Sequence, residues 1–112
     1  MSDKPSLIIG FHAHVYYNED TFEQARQLCE SASDRFGLSM GRMHTRPVGP
    51  HPCWSCQLAF GPDMLGDVMA WLALNRNGLV IFAHPETGDD LADHTAHAIW
   101  MGTVMTLDLS VF

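Results

Sequence analysis

Basic side chains are scarce in this 112-residue chain: Lys4, Arg26, Arg35, Arg42, Arg46 and Arg76 stand against 13 Asp and Glu, a net charge of −7 with neutral histidine. They form no run, and a negative surface repels phosphate backbones, so no nucleic acid is expected as a partner. Long apolar runs are missing as well. The longest, such as 79–83, fall far short of the roughly 20 residues that cross a bilayer, which excludes a membrane helix as the expectation. Met1–Pro5 shows no charged segment leading into an apolar one, so no secretory signal is expected and a cytoplasmic location follows. Cysteine is limited to Cys29, Cys53 and Cys56, an odd number that argues against a disulfide framework and fits a reducing compartment. No G-x-S-x-G elbow, phosphate-binding loop or dinucleotide fingerprint occurs, which leaves hydrolase and nucleotide-binding readings without support.

With 46% apolar residues and no low-complexity segment, residues 1–112 are expected to form a single domain around one core. Over 7–17, Leu7, Ile9, Phe11, Ala13 and Val15 alternate with Ile8, Gly10, His12, His14 and Tyr16, which predicts a strand with both histidines on one face. Asp20 followed by Glu23 reads as a variant capping box, and a helix is predicted from Thr21. Phe22, Ala25, Leu28, Cys29, Ala32 and Phe36 give it one buried stripe, with Gly37 as its left-handed cap. A second strand is predicted over 38–45, a proline-rich loop over 46–52 and a third strand over 53–60. Pro62 opens a second helix with Met64, Leu65, Val68, Met69 and Leu72 as its stripe, and 79–84 reads as a buried strand.

The order β-α-β-β-α-β matches an α+β, ferredoxin-like split β-α-β sandwich: an antiparallel four-stranded sheet in the order 4-1-3-2, two helices on one face, and a C-terminal extension over 85–112. If the apolar side of the first strand meets the helices, His12, His14 and Tyr16 face the open side, with His44, Ser55, Gln57 and His84 as neighbours. Such a face is covered by the tail or by a second subunit, and a homodimer through that face or its edge is expected.

Seven histidines are present, and their placement points to chemistry. His12 and His14, two apart on a strand, project side by side, as two ligands of one metal ion do or as part of a polar solvent-facing stripe. His84 ends the strand expected beside them. Residues 84–95 hold two histidines and four carboxylates in twelve positions, a donor set suited to Fe(II), Mn(II) or Zn(II). Cys53-Trp-Ser-Cys56 has the C-x-x-C spelling, but residues three apart on a strand point to opposite faces, so packing is weighed there against thiol chemistry. His97 is placed on a short helix over about 91–100, interfacial or exposed.

Phe11-His12-Ala13-His14-Val15-Tyr16, then Gly49-Pro50-His51-Pro52, then His84-Pro85-x-Thr87-Gly88-Asp89-Asp90-Leu91-x-Asp93-His94-Thr95 with Trp100 and Gly102, resemble the small DOPA 4,5-dioxygenase family over about residues 8–110. The resemblance implies a ferredoxin-like fold and a non-haem Fe(II) centre, a site that Zn or another divalent metal can fill in a purified sample. It also implies extradiol cleavage of L-DOPA or a related catechol by O2. Carried onto this chain, it suggests His12, His14 and His84 as metal ligands and His94 or His51 as the acid/base that handles the catechol proton. Tyr16, Arg42, Arg46 and His44 are the candidates for holding the substrate, Arg being suited to a bidentate grip on a carboxylate. Extradiol sites of other folds include a carboxylate; here Glu86, Asp89, Asp90 or Asp93 would supply it from the tail, or the site is all-histidine, and Asp89 or Asp90 is expected to cap the following helix instead. The competing reading is a non-catalytic dimeric module that holds a metal or a small aromatic molecule.

Overall fold

A computed structural model of the protein describes residues 7–112; Lys4 and the leader reading at Met1–Pro5 lie outside them. The elements are β1 (Gly10–Tyr17), α1 (Phe22–Phe36), β2 (Ser39–Met40), β3 (Trp54–Phe60), a 3-10 turn at Pro62–Met64 running into α2 (Leu65–Asn75), β4 (Ile81–Glu86), α3 (Asp90–His94) and β5 (Ile99–Met101). The sheet order is β2-β3-β1-β4-β5, every pair antiparallel. The expected ferredoxin-like core is therefore present, with β1 at its centre, and the extension adds a fifth strand at the β4 edge.

Period two along β1 sorts its side chains as expected. Phe11, Ala13 and Val15 join Cys56, Leu58, Phe60, Ile81 and Ala83 in the core that α1 and α2 cover with Ala25, Leu28, Cys29, Ala32, Val68 and Leu72. Burying a side chain such as Leu58 or Ile81 contributes roughly 1.5–3 kcal/mol, so this layer holds the sheet on which the opposite face is built. Leu7 and Ile9, expected on the core side, are exposed, while Ile8 packs against the core. Regular pairing of β1 with both neighbours begins only at Gly10–Phe11; before it the Ile9 N–H still donates to the Glu86 carbonyl, but its side chain lies outside the layer that the helices cover.

Three further expectations are corrected. No Asp20–Glu23 box caps α1; Asn18 accepts from the Thr21 backbone N–H and hydroxyl, and Glu23 is drawn instead to Arg26 at 2.7 Å. Strand β2 is two residues long rather than eight, although Gly41 and His44 still donate to the Gln57 and Ser55 carbonyls of β3. The helix expected over 91–100 stops at His94, and Ile99–Met101 extends the sheet. Gly37, at φ 66°, closes α1 as predicted; its left-handed geometry lets its N–H reach the Ser33 carbonyl.

The second face of the sheet is covered by this chain's own tail. Beyond β5, Met105 reaches Cys53, the Asp108 N–H donates to the Pro50 carbonyl, and the Phe112 ring lies 4.5 Å from His94. The loop carrying His51 folds onto the same face, so of the two covers expected for it, the tail and a second subunit, the tail is present. No helix among the described residues is long and apolar enough to cross a membrane.

Candidate metal centre

Register decides which histidines meet. Strand β1 pairs with β4 so that His12 stands opposite His84, and with β3 so that His14 stands opposite Gln57. Phe82, His84 and Glu86 alternate along β4 onto this face while Ile81 and Ala83 enter the core. As a result one ligand atom from each of His12, His14 and His84 falls within 4.8 Å of the others. His14 and His84 are 5% and 2% exposed, and His12 forms the more open side.

The donor set fits a divalent transition metal. The His84 Nδ1–H donates to the Pro85 carbonyl at 2.8 Å, which leaves Nε2 as a lone pair and fixes the ring, the arrangement that metal-ligating imidazoles adopt. That Nε2 lies 3.1 Å from His14 Nε2. Two cis ligands with bonds of about 2.1 Å are separated by about 3 Å, so the pair spans an edge of the right size. Burial, reinforced by the neighbouring imidazoles, holds His14 well below its usual value. Burial likewise pushes His84 down to about 4, against the opposing effect of the Pro85 carbonyl. His12 is also lowered by burial, partly offset by Glu86. Neutral rings keep lone pairs available to a cation near pH 7.

Two more imidazoles close over this group. The His51 ring is centred 4.1 Å from that of His14, and His94 is 4.0 Å from His84. Burial and the surrounding histidines push His51 down to about 4. The Tyr16 hydroxyl lies 2.7 Å from His51 Nδ1, and His94 Nδ1–H donates to the Asp90 carbonyl at 2.7 Å. Phe82, Trp100 and Phe112 wall the cluster: Trp100 stacks on Phe82 at 4.6 Å, and Phe112 lies against His94.

Of the carboxylates considered, Asp89 caps α3 by accepting from the Ala92 N–H, and Asp93 is buried with both oxygens bonded to Thr87. Although burial opposes ionisation, the two Thr87 bonds hold the Asp93 carboxyl below its ordinary value. Asp90 is exposed. Only Glu86 meets a cluster histidine, with Oε1 at 3.1 Å from His12 Nε2. Sequence alone left Glu86 among four tail acids; the signal that singles it out is its place two residues after His84 on the same strand.

The residues considered for substrate are dispersed. Tyr16 is 2% exposed and engaged with His51, while Arg42 and Arg46 are exposed at the surface. His44 is half-buried near His51, its carbonyl accepting from the Tyr17 hydroxyl. His97 is exposed in the turn after α3. Cys56 sits in the core and Cys53 on the tail side, where its Sγ is 3.6 Å from Met105 Sδ. A cavity of about 240 Å3 beside the cluster is lined by His94, Trp100, Met105 and Leu107 among others.

Three comparisons with known proteins bear on this site. The model of the Dopa 4,5-dioxygenase family matches residues 11–111. A solved structure from Nostoc punctiforme, described as a "putative dioxygenase", superposes with a TM-score of 0.92 at 40% identity, covering 96% of each chain. An uncharacterised 21.2 kDa protein of Botryotinia fuckeliana is 36% identical across 91% of this chain and 62% of its own length. A DOPA 4,5-dioxygenase of Amanita muscaria is 26% identical across 94% of this chain and 50% of its own. The chain thus spans roughly half to three-fifths of these two curated relatives.

Proposed function

The chain belongs to the Dopa 4,5-dioxygenase family, matched over residues 11–111, and from that premise we propose that it is an extradiol ring-cleaving dioxygenase acting on L-DOPA or a related catechol with O2 at a non-haem Fe(II) centre. The observation that carries this reading is the convergence of His12, His14 and His84 within 4.8 Å on a walled face of the sheet. These three residues would hold the iron. When bound, ferrous iron supplies a Lewis acid for the two catechol oxygens and an electron source for O2.

The remaining residues supply positioning and proton handling. Catechol must lose a proton on binding and the cleaved product must regain one, work for His94 or His51, each about 4 Å from a proposed ligand ring. Phe82, Trp100 and Phe112 exclude water from one side of the cluster, which strengthens the electrostatic interactions inside it. Arg42 and Arg46, exposed on the segment leading to His51, are the candidates to draw in a substrate carboxylate.

The test is anaerobic loading of the purified protein with Fe(II), addition of L-DOPA and air, and recording of O2 uptake and the visible spectrum. Iron-dependent uptake with a yellow product, lost in the metal-free protein and in His12→Ala, is expected. No uptake with L-DOPA or a panel of simple catechols, in protein that still binds metal, would turn the assignment to a binding module.

A further inference from the structure

The hydrogen bonds at the rear of His94 and His51 differ in kind. A backbone carbonyl only accepts, so the Asp90 carbonyl at 2.7 Å fixes the proton of neutral His94 on Nδ1. Its Nε2, on the side of the ring away from Asp90, is then a lone pair. The ring is held between His84 at 4.0 Å and Phe112 at 4.5 Å, so it does not swing to exchange the two nitrogens.

His51 has a hydroxyl behind it instead. The Tyr16 hydroxyl, 2.7 Å from Nδ1, has one proton and makes its hydrogen bond here, with its ring fixed edge-on to Trp100 at 6.1 Å. An imidazole nitrogen is a far better acceptor than a phenol oxygen, so the proton is shared toward Nδ1. With Nδ1 accepting, neutral His51 carries its proton on Nε2.

We propose that the structure pre-sets these two histidines in opposite tautomers, His94 as the proton acceptor and His51 as the hydrogen-bond donor of the cluster, and that Tyr16 is the positioning residue that sets His51. The proposal rests on the dioxygenase reading for its chemical meaning. In the acid/base step a catechol O–H bond breaks and an N–H bond forms at His94 Nε2. The electron pair stays on oxygen, and the resulting imidazolium still donates from Nδ1 to Asp90. His51 transfers nothing; its Nε2–H offers a hydrogen bond to negative charge gathered on oxygen. Two identical tautomers would provide two bases or two donors, whereas this arrangement provides one of each without any rearrangement.

Long-range proton–nitrogen correlation spectra of protein labelled with 15N-histidine, recorded metal-free and loaded with diamagnetic Zn(II), read each tautomer directly. The expected result is a protonated Nδ1 at His94 and a protonated Nε2 at His51. In Tyr16→Phe, His51 should move to a mixed or inverted population while His94 keeps its pattern. In the Fe(II) enzyme, kcat for L-DOPA should fall roughly 10- to 100-fold with KM within about twofold, the loss of an oriented donor rather than of binding. The same tautomer at both residues, or unchanged His51 signals in Tyr16→Phe, would overturn the proposal, and the wild-type spectra decide the first point whether or not the variant folds. Opposite tautomers in a protein without O2 uptake would sink the dioxygenase reading and the catalytic part of this proposal, leaving the hydrogen-bond geometry standing.

Discussion

Replacing His12 with alanine separates metal binding from folding. The His12 side chain is 21% exposed on the face away from the core, with its Nε2 3.1 Å from Glu86 Oε1, itself 41% exposed, so its removal leaves no cavity in the core. An exposed pair of this kind is worth at most about 1 kcal/mol, and the metal-free variant should melt within a few degrees of wild type. Metal tells the two apart. With free Zn(II) or anaerobic Fe(II) at one hundred times the wild-type Kd, linkage adds about 2.7 kcal/mol to stability. That is a rise of roughly 10 °C in Tm for a domain of this size. Loss of one of three nitrogens should weaken binding at least about 100-fold, so at the same metal concentration the variant gains about 0.4 kcal/mol, or 1–2 °C. Differential scanning fluorimetry with and without metal reads the difference, and His97→Ala, altered at an exposed position away from the cluster, should keep the full shift. An undiminished shift in His12→Ala, or equal losses in both variants, would refute the assignment of this face as the metal centre.

Three further outcomes follow from the geometry. Glu86→Gln should leave the metal-free Tm nearly unchanged but weaken Zn(II) binding roughly 10- to 100-fold in chelator competition, because the carboxylate 3.1 Å from His12 Nε2 is lost. Asp93→Ala should cost about 2–3 kcal/mol in urea unfolding at pH 7, since it strips the Thr87 N–H and hydroxyl of their buried acceptor. The Asp93 carboxyl is held below its ordinary value of 3.8. Its stabilisation is therefore full above that value and is lost as pH falls through the depressed folded one, so the variant should show a flatter decline in stability below about pH 4. Tyr17→Phe should cost about 1–2 kcal/mol, measured the same way, because the hydroxyl donates to both the His44 and Ser55 carbonyls and ties the loop before His51 to β3.

Much of the site was legible because it lies on strands. Period two in residues 10–17 places His12 and His14 together whatever the rest of the chain does, and the split β-α-β order brings β4, with His84, alongside. Register was not legible. Glu86 reaches His12 only because β1 and β4 pair as Gly10 with Glu86 and His12 with His84, an alignment set by the whole sheet. The stretch 90–101 misled for a different reason. Its polar spacing suits a helix, but Thr95 leaves helical geometry at φ −124°, ψ −80°, and the His97 N–H turns back to the Ala92 carbonyl. The free β4 edge then recruits Ile99–Met101. At α1 no side chain caps the helix: Thr21 stands at the N-cap position with its own N–H and hydroxyl tied back to Asn18, and the Asp20–Glu23 pair is left out.

The two buried imidazoles that touch at 3.1 Å are 70 positions apart, on the first and fourth strands. An emerging polypeptide therefore carries no version of this centre until residue 84 has been made and β4 has slotted against β1. Contacts of such sequence separation form late and slowly. A metal ion bound by this set would therefore need β1 and β4 to be paired first, so its binding would be linked to formation of the sheet. An ion held by both strands would clip β1 to β4 and would have to be released before these two strands could part.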